Sequence, residues 1–119
     1  MKINLADKFA SFSEHWRPKL IAELNGQGMR IVKCQGVFPW HSHADEDELF
    51  LVWRGQFRIE FRDRIISLGP GELFTVPRGV EHRTAADEEA EVIIFEPLGV
   101  KNTGDVDDPV YTAPEIPRI

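Results

Sequence analysis

Apolar and polar positions alternate most regularly between Gln56 and Arg62, where Phe57, Ile59 and Phe61 interleave with Arg58, Glu60 and Arg62. A period of two is that of a strand with one dry face and one wet face. Similar short runs recur from residue 19 onward, separated by glycine and proline at intervals that suit strands. Lys19–Leu24 and Met29–Cys34 read as a hairpin around Gly26-Gln27-Gly28, and Pro39–His43 reads as extended chain. Leu49–Arg54, Gln56–Arg62, Ile65–Leu68, Glu72–Val76, Glu81–Ala85 and Glu91–Glu96 complete nine or ten predicted strands, with Gly69-Pro70-Gly71 as a sharp reversal. The fold class that follows is all-β, a sandwich or barrel. One helical turn is predicted ahead of it, with Asn4 as N-cap and Leu5 and Phe9 on one face. After Pro97 the chain becomes polar and proline-rich, so residues 98–119 read as an extended arm appended to a domain of residues 1–97. The arm is either a loosely held tail or a segment that docks on a neighbouring surface through Val110, Tyr111 and Ile116.

Composition narrows the partners. With 119 residues the chain has room for one domain, and 42% apolar against 29% charged residues is the balance of a globular protein. The net charge of −6 and scattered arginines argue against nucleic acid, which demands a clustered basic surface. The longest apolar runs, Leu49–Trp53 and Val92–Phe95, fall far short of the ~18 residues of a membrane-spanning helix. Residues 1–7 lack a secretory pattern, and the lone Cys34 suits a reducing compartment, so the expected location is cytoplasmic. Cys34 itself reads as a packed small side chain.

The candidate chemistry lies in the histidines. Three of four, His41, His43 and His82, fall in strand contexts, and Glu48 follows the first two. On a strand, residues i and i+2 share a face about 6.6 Å apart, so two imidazoles can lean toward one ion while Trp40 and Ser42 face away. On a helix the same spacing would splay them. Glu48 stands at an odd offset from His43, so a turn has to intervene, and Ala44-Asp45-Glu46-Asp47 has the composition for it. Asp45, Glu46 and Asp47 compete with Glu48 for the acidic role; its place beside an apolar run favours Glu48 facing inward with Phe50 and Val52.

The full spacing is more specific than any of these residues alone. His41-Ser42-His43, four residues, Glu48, six residues, Gly55, then Gly71, five residues, Pro77-Arg78-Gly79, two residues, His82 resembles the two motifs of the cupin family. Two positions depart from that pattern: Gly36 stands one residue nearer His41 than usual, and Ala86 replaces a frequent asparagine. Neither removes a ligand. The resemblance implies a small double-stranded β-helix, a jelly-roll barrel of the RmlC-like type. It also implies that His41, His43, Glu48 and His82 hold a divalent transition metal: zinc, iron, manganese, nickel or copper. Such a donor set leaves an octahedral ion two positions for water or substrate.

Three functions are compatible with that site. The chain resembles cupins described as mannose-6-phosphate isomerase-like, so one expectation is an enzyme of dioxygenase or sugar isomerase type acting on a small polar metabolite. Another is a metal-containing module that binds or senses a small molecule without turnover. Phe38, Trp40, Phe50, Phe57, Phe74 and Ile94 are candidate wall or core residues, and Arg54 shares the parity of Glu48. The third is a structural role as a dimer component. If Glu48, Phe50 and Val52 face inward, Leu49, Leu51 and Trp53 form an outer apolar patch that needs cover. A homodimer is expected, with residues 5–24, including Leu5, Phe9, Phe12 and Trp16, contributing to that cover.

Overall fold

A computed structural model describes all 119 residues. One helix, α1 (Leu5–Ala10), precedes seven strands: β1 (Lys19–Leu24), β2 (Gln27–Val37), β3 (Glu48–Arg54), β4 (Phe57–Glu60), β5 (Ile65–Leu68), β6 (Leu73–Val76) and β7 (Arg83–Pro97). The strands pair antiparallel in the order β1-β2-β7-β3-β6, while β4 bridges β5 and the start of β7. No helix is long and apolar enough to cross a membrane.

The strand count is lower than the punctuation suggests because two strands are long. Residues predicted as separate strands around 81–85 and 91–96 belong largely to one strand, β7. Its first residues, Arg83–Ala85, pair with β4, and Glu91–Phe95 pair with β3. The exposed Asp87-Glu88-Glu89 between them marks where β7 passes from one layer to the other, so this acidic run is a corner within a strand rather than a loop. Likewise β2 runs beyond Met29–Cys34 at both ends. The β1–β2 hairpin turns at Asn25-Gly26, whose φ values of 52° and 81° suit a tight two-residue turn, and Gln27 and Gly28 already pair with β1. Glu72 and Glu81 lie just outside strands.

Inward-pointing Val32, Cys34, Phe50, Val52, Phe57, Ile59, Val92 and Ile94 form one core within the barrel, joined by Trp16 and Phe38. A smaller cluster of Phe9, Ile21, Ile31 and Ile93 lies on the opposite face of the sheet. Helix α1 covers it: Asn4 Oδ1 accepts the Asp7 N–H at 2.9 Å, and the short helix delivers Phe9, 1% exposed, onto Ile31 and Ile93. Burying that ring contributes about 2–3 kcal/mol.

The outer patch is therefore covered in part from within the chain. Leu5, Phe12 and Leu51 pack against this smaller cluster, whereas Trp53 stays 39% exposed. Trp16 does not cover that patch. It enters the barrel core beside Phe38, with ring centroids 5.0 Å apart, and donates its indole N–H to the Gln35 carbonyl at 2.8 Å.

The arm after β7 is tied down. Leu20 N–H donates to the Pro117 carbonyl at 2.9 Å and Ile119 N–H to the Leu20 carbonyl at 3.0 Å. Tyr111 meets Phe38 edge-on at 5.5 Å, and Arg17 donates to the Val110 and Tyr111 carbonyls. Of the arm residues expected to dock, Tyr111 reaches the core, Ile116 is half-buried, and Val110 points to solvent at 65% exposure.

Candidate metal centre

His41 and His82 are brought together by the backbone. They form an isolated antiparallel bridge in which each donates its N–H to the other's carbonyl at 2.9 Å, so both side chains leave the same face. His43 lies two residues along from His41, and its carbonyl accepts the Gly79 N–H at 2.7 Å. Glu48 opens β3 opposite Val76, pointing inward with Phe50 and Val52. Between them the acidic turn is pinned by Asp47, which accepts the Arg78 backbone N–H at 2.9 Å and pairs with its guanidinium. Asp45 and Asp47 are exposed and Glu46 is half-buried, so Glu48 alone of the four carboxylates joins the histidines.

One nitrogen or oxygen from each of His41, His43, Glu48 and His82 lies within 4.8 Å of the others, and all four residues are buried. His41 Nδ1 is 2.9 Å from the Pro39 carbonyl and His82 Nδ1 is 2.9 Å from the Val80 carbonyl. A carbonyl only accepts, so both Nδ1 atoms carry hydrogen, and in the neutral ring each Nε2 keeps a lone pair. Glu48 Oε1 stands 3.5 Å from His43 Nε2 and 3.4 Å from His82 Nε2. All three atoms are buried without a hydrogen-bond partner. Leaving such atoms unpaired costs about 1–3 kcal/mol each. Their spacing is too long for mutual hydrogen bonds and leaves a gap that a cation would satisfy.

Electrostatics agree with a cation site. Burial, aided by the neighbouring His82, lowers the His41 pKa to about 4, keeping its ring neutral. Burial also pulls on His43, but Glu48 outweighs it and raises that pKa. For Glu48 burial alone would favour the acid; its contacts with His43 and His82 hold the carboxyl well below the usual carboxylate range.

Aromatic rings wall the cluster: Phe38 lies edge-on to His41 at 5.4 Å, and Phe50 and Phe61 lie 6.3 and 6.4 Å from His82. Beside His41 and Glu48 lies a partly open cavity of about 30 Å³, bounded by Trp16, Phe38, Phe50, Phe57, Ile94, Glu96 and Asn102 among others. That space matches roughly one water molecule, far below the ~300 Å³ at which metabolite sites begin. Two wall candidates fall elsewhere. Trp40 lies outside the barrel core, stacked under the guanidinium groups of Arg62 and Arg83 at 3.8 and 4.8 Å, and Phe74 is a half-buried flank packed on Phe61. Arg54 is solvated beside Glu91, past an irregularity in the β3–β7 register. Cys34 is buried in the core, and desolvation pushes its thiol far up.

The arm closes one side of the cluster. Asp105 N–H donates to the Ser42 carbonyl at 3.0 Å, and the Ser42 N–H donates to Asp105 Oδ1 at 2.9 Å, laying Gly104 against the His41–Ser42 backbone. Sequence reasoning missed this contact together with Glu96 and Arg30, which are 2% and 3% exposed. A signal for the latter two existed: Arg30 alternates with the inward Val32 and Cys34, and Glu96 with Val92 and Ile94, so both are charges at core parity.

Residues 28–98 match the model of the cupin domain, a span running from β2 to just past β7. The uncharacterized protein YdbB of Bacillus subtilis (strain 168) is 32% identical, with 76% of this chain and 83% of that protein covered. A cupin-2 domain containing protein of Shewanella frigidimarina NCIMB 400 superposes with a TM-score of 0.79 at 48% identity, covering 80% of this chain and 93% of that one. Protein NMB1881 of Neisseria meningitidis gives a TM-score of 0.75 at 28% identity over 82% of this chain and 99% of its own. The double-stranded β-helix and the two-motif spacing thus have the same explanation, and the chain belongs to the cupin family.

Proposed function

We propose that the protein binds one divalent transition metal through His41, His43, Glu48 and His82 and uses it to bind or transform a small polar metabolite. The observation that carries this reading is the set of buried, unpartnered donor atoms, His43 Nε2, His82 Nε2 and Glu48 Oε1, facing one another inside a barrel. Three imidazoles and one carboxylate suit zinc, iron, manganese, nickel or copper. A bound ion of this kind can polarise a carbonyl or activate oxygen, the chemistry of an isomerase or a dioxygenase. The chain's own contribution is to fix the tautomers of His41 and His82 through Pro39 and Val80, and to line the site with aromatic rings that limit water.

Metal content of the purified protein tests this directly. One equivalent is expected in the wild type, a large loss in Glu48→Gln and little change in Glu46→Gln; equal losses in both would refute the choice of Glu48. A non-catalytic sensor is the second reading: the rings of Phe38, Phe50 and Phe61 around the cluster supply contact surface rather than an acid or base. Oxygen consumption or product formation by the iron-loaded protein supports an enzyme, whereas saturable ligand binding without product supports the sensor. We also propose a cytoplasmic homodimer, supported by the unpaired Cys34 and by exposed Trp53, Leu73 and Phe95 on the outer sheet face. A monomer by light scattering at micromolar concentration would sink the dimer.

A further inference from the structure

The donor atoms His43 Nε2, His82 Nε2 and Glu48 Oε1 are buried, and none of the four candidate ligands is more than 5% exposed. An ion or metabolite reaches those atoms only when part of the surrounding wall moves. The central strands are poor candidates for that movement, because β2, β7 and β3 each pair with a neighbour on both sides. Residues 102–113 of the arm are better suited.

This stretch carries its own hydrogen bonds. Asn102 ties its ends together: Nδ2 donates to the Tyr111 carbonyl and Oδ1 accepts the Ala113 N–H, both at 2.9 Å. Between them the Thr103 hydroxyl donates to the Val106 carbonyl at 2.6 Å and accepts from the Thr112 hydroxyl at 2.6 Å. Asp108 Oδ1 accepts the Val110 and Tyr111 N–H groups at 2.8 and 2.9 Å. A loop closed in this way is a compact unit of the Ω type. It can leave the barrel without breaking its internal bonds.

Its attachments to the barrel are few and lie around the candidate metal centre. Asp105 exchanges two hydrogen bonds with Ser42, which stands between His41 and His43. The Arg17 guanidinium donates to the Val110 and Tyr111 carbonyls at 2.8 and 3.0 Å. The Tyr111 ring meets Phe38 edge-on, and Phe38 in turn meets His41. Asn102 borders the cavity beside His41 and Glu48, as does Trp16, the residue before Arg17. On either side the chain is anchored independently, by Arg30 donating to the Val100 carbonyl and by Leu20 donating to the Pro117 carbonyl, both at 2.9 Å. These two anchors fix where the loop returns.

We propose that residues 102–113 are a lid over the candidate metal centre, latched to the barrel at Arg17 and at Ser42, and that its release admits metal and metabolite. What the lid covers rests on the metal-binding reading above; its movement does not. Closed, it sets Asn102 at the cavity and Tyr111 on Phe38, keeping bulk water from the cluster. Opening uncovers a cavity that Cys34 also borders, so the protein's one thiol reports the movement without any metal.

The test uses the full-length protein, freed of metal, and follows labelling of Cys34 by methyl methanethiosulfonate with mass spectrometry. Arg17→Ala removes one latch and Asp105→Ala the other, and each is expected to label roughly tenfold faster than wild type. The rates are expected to depend on denaturant far less steeply than global unfolding does, the mark of a local opening. In the zinc-loaded protein the same substitutions are expected to speed both zinc uptake and zinc loss to excess chelator by a common factor, with affinity within about threefold of wild type. A lid that touches no ion changes entry and exit together, whereas a merely structural arm would not link the two.

Unchanged Cys34 rates in both variants overturn the lid, and so do rates that rise only in parallel with global unfolding. If one variant fails to fold, the other carries the test, since the two latches are separate. Zinc affinity that falls while uptake is unaltered also overturns the proposal, because the arm would then prop the site rather than gate it. Absence of zinc binding in the wild type refutes the metal reading, and the lid then stands or falls on the Cys34 rates.

Discussion

Gly104 is the position at which one methyl group would do most to the arm. Its φ is +57°, and a Cβ added there would overlap the carbonyl oxygen of Ser42 and come within 3.3 Å of the His41 ring. Ser42 is a poor candidate to yield, because its neighbour His41 is locked to His82 by two backbone hydrogen bonds. The arm has to move instead. Gly104→Ala therefore removes the reciprocal pair between Ser42 and Asp105, worth about 1 kcal/mol each, and adds roughly 1 kcal/mol of left-handed backbone strain if the arm tries to stay. With the arm undocked the loss is about 2 kcal/mol, a fall in melting temperature of roughly 7 °C for a domain of this size. Undocking relieves the strain, so the damage is local. Hydrogen exchange is expected to quicken at Asp105 and across residues 100–113, with protection in β2 and β7 unchanged. Melting within about 1 °C of wild type, with unaltered exchange at Asp105, would falsify the close approach of the arm to Ser42.

Other outcomes follow from the same contacts. His41 titrates near 4 in the folded protein because it is buried, against an ordinary value near 6.5, so between these limits the unfolded chain binds more protons and stability falls as pH falls. In denaturant titrations between pH 7 and pH 4, the metal-free wild type is expected to lose about 3 kcal/mol more than His41→Gln; parallel pH profiles would mean that the ring is hydrated. Phe9→Ala empties the cluster under α1 and is expected to cost about 3–4 kcal/mol, with zinc affinity unchanged because the site lies on the opposite face of the sheet; a coupled loss of affinity counts against that separation. Cys34 is expected to resist a thiol reagent in native buffer and react at once in denaturant, and fast native labelling would contradict its place in the core.

What the sequence disclosed, and what it concealed, divides by how local the cause is. The alternation at Phe57, Ile59 and Phe61 and the i, i+2 placement of His41 and His43 are properties of a single strand, so the residues themselves announce them. The approach of His82 and Glu48 is not local. It was legible through a family spacing, and its physical cause is the His41–His82 bridge with the pinning of the acidic turn by Asp47 and Arg78. The continuity of β7 was hidden because Asp87-Glu88-Glu89 has a loop's composition; only the crossing between layers allows three exposed acids within one strand.

Trp16 shows the same limit from the other side. Within residues 5–24 it looks like one more apolar residue suited to covering the outer face, beside Leu5, Phe9 and Phe12. A positive φ of 62° turns the chain there, and its indole N–H needs an acceptor, which it finds in the Gln35 carbonyl. The ring then fills the barrel end between Phe38 and the cavity. Arg30 and Glu96 could have been read more fully, because a charge at core parity on a strand demands a partner. Each is the other's partner, and Glu96 also borders the cavity beside His41 and Glu48. A charge placed where the pattern calls for a hydrophobe is thus the sequence signal of a buried pair, here one whose carboxyl group borders the cavity beside the candidate metal centre.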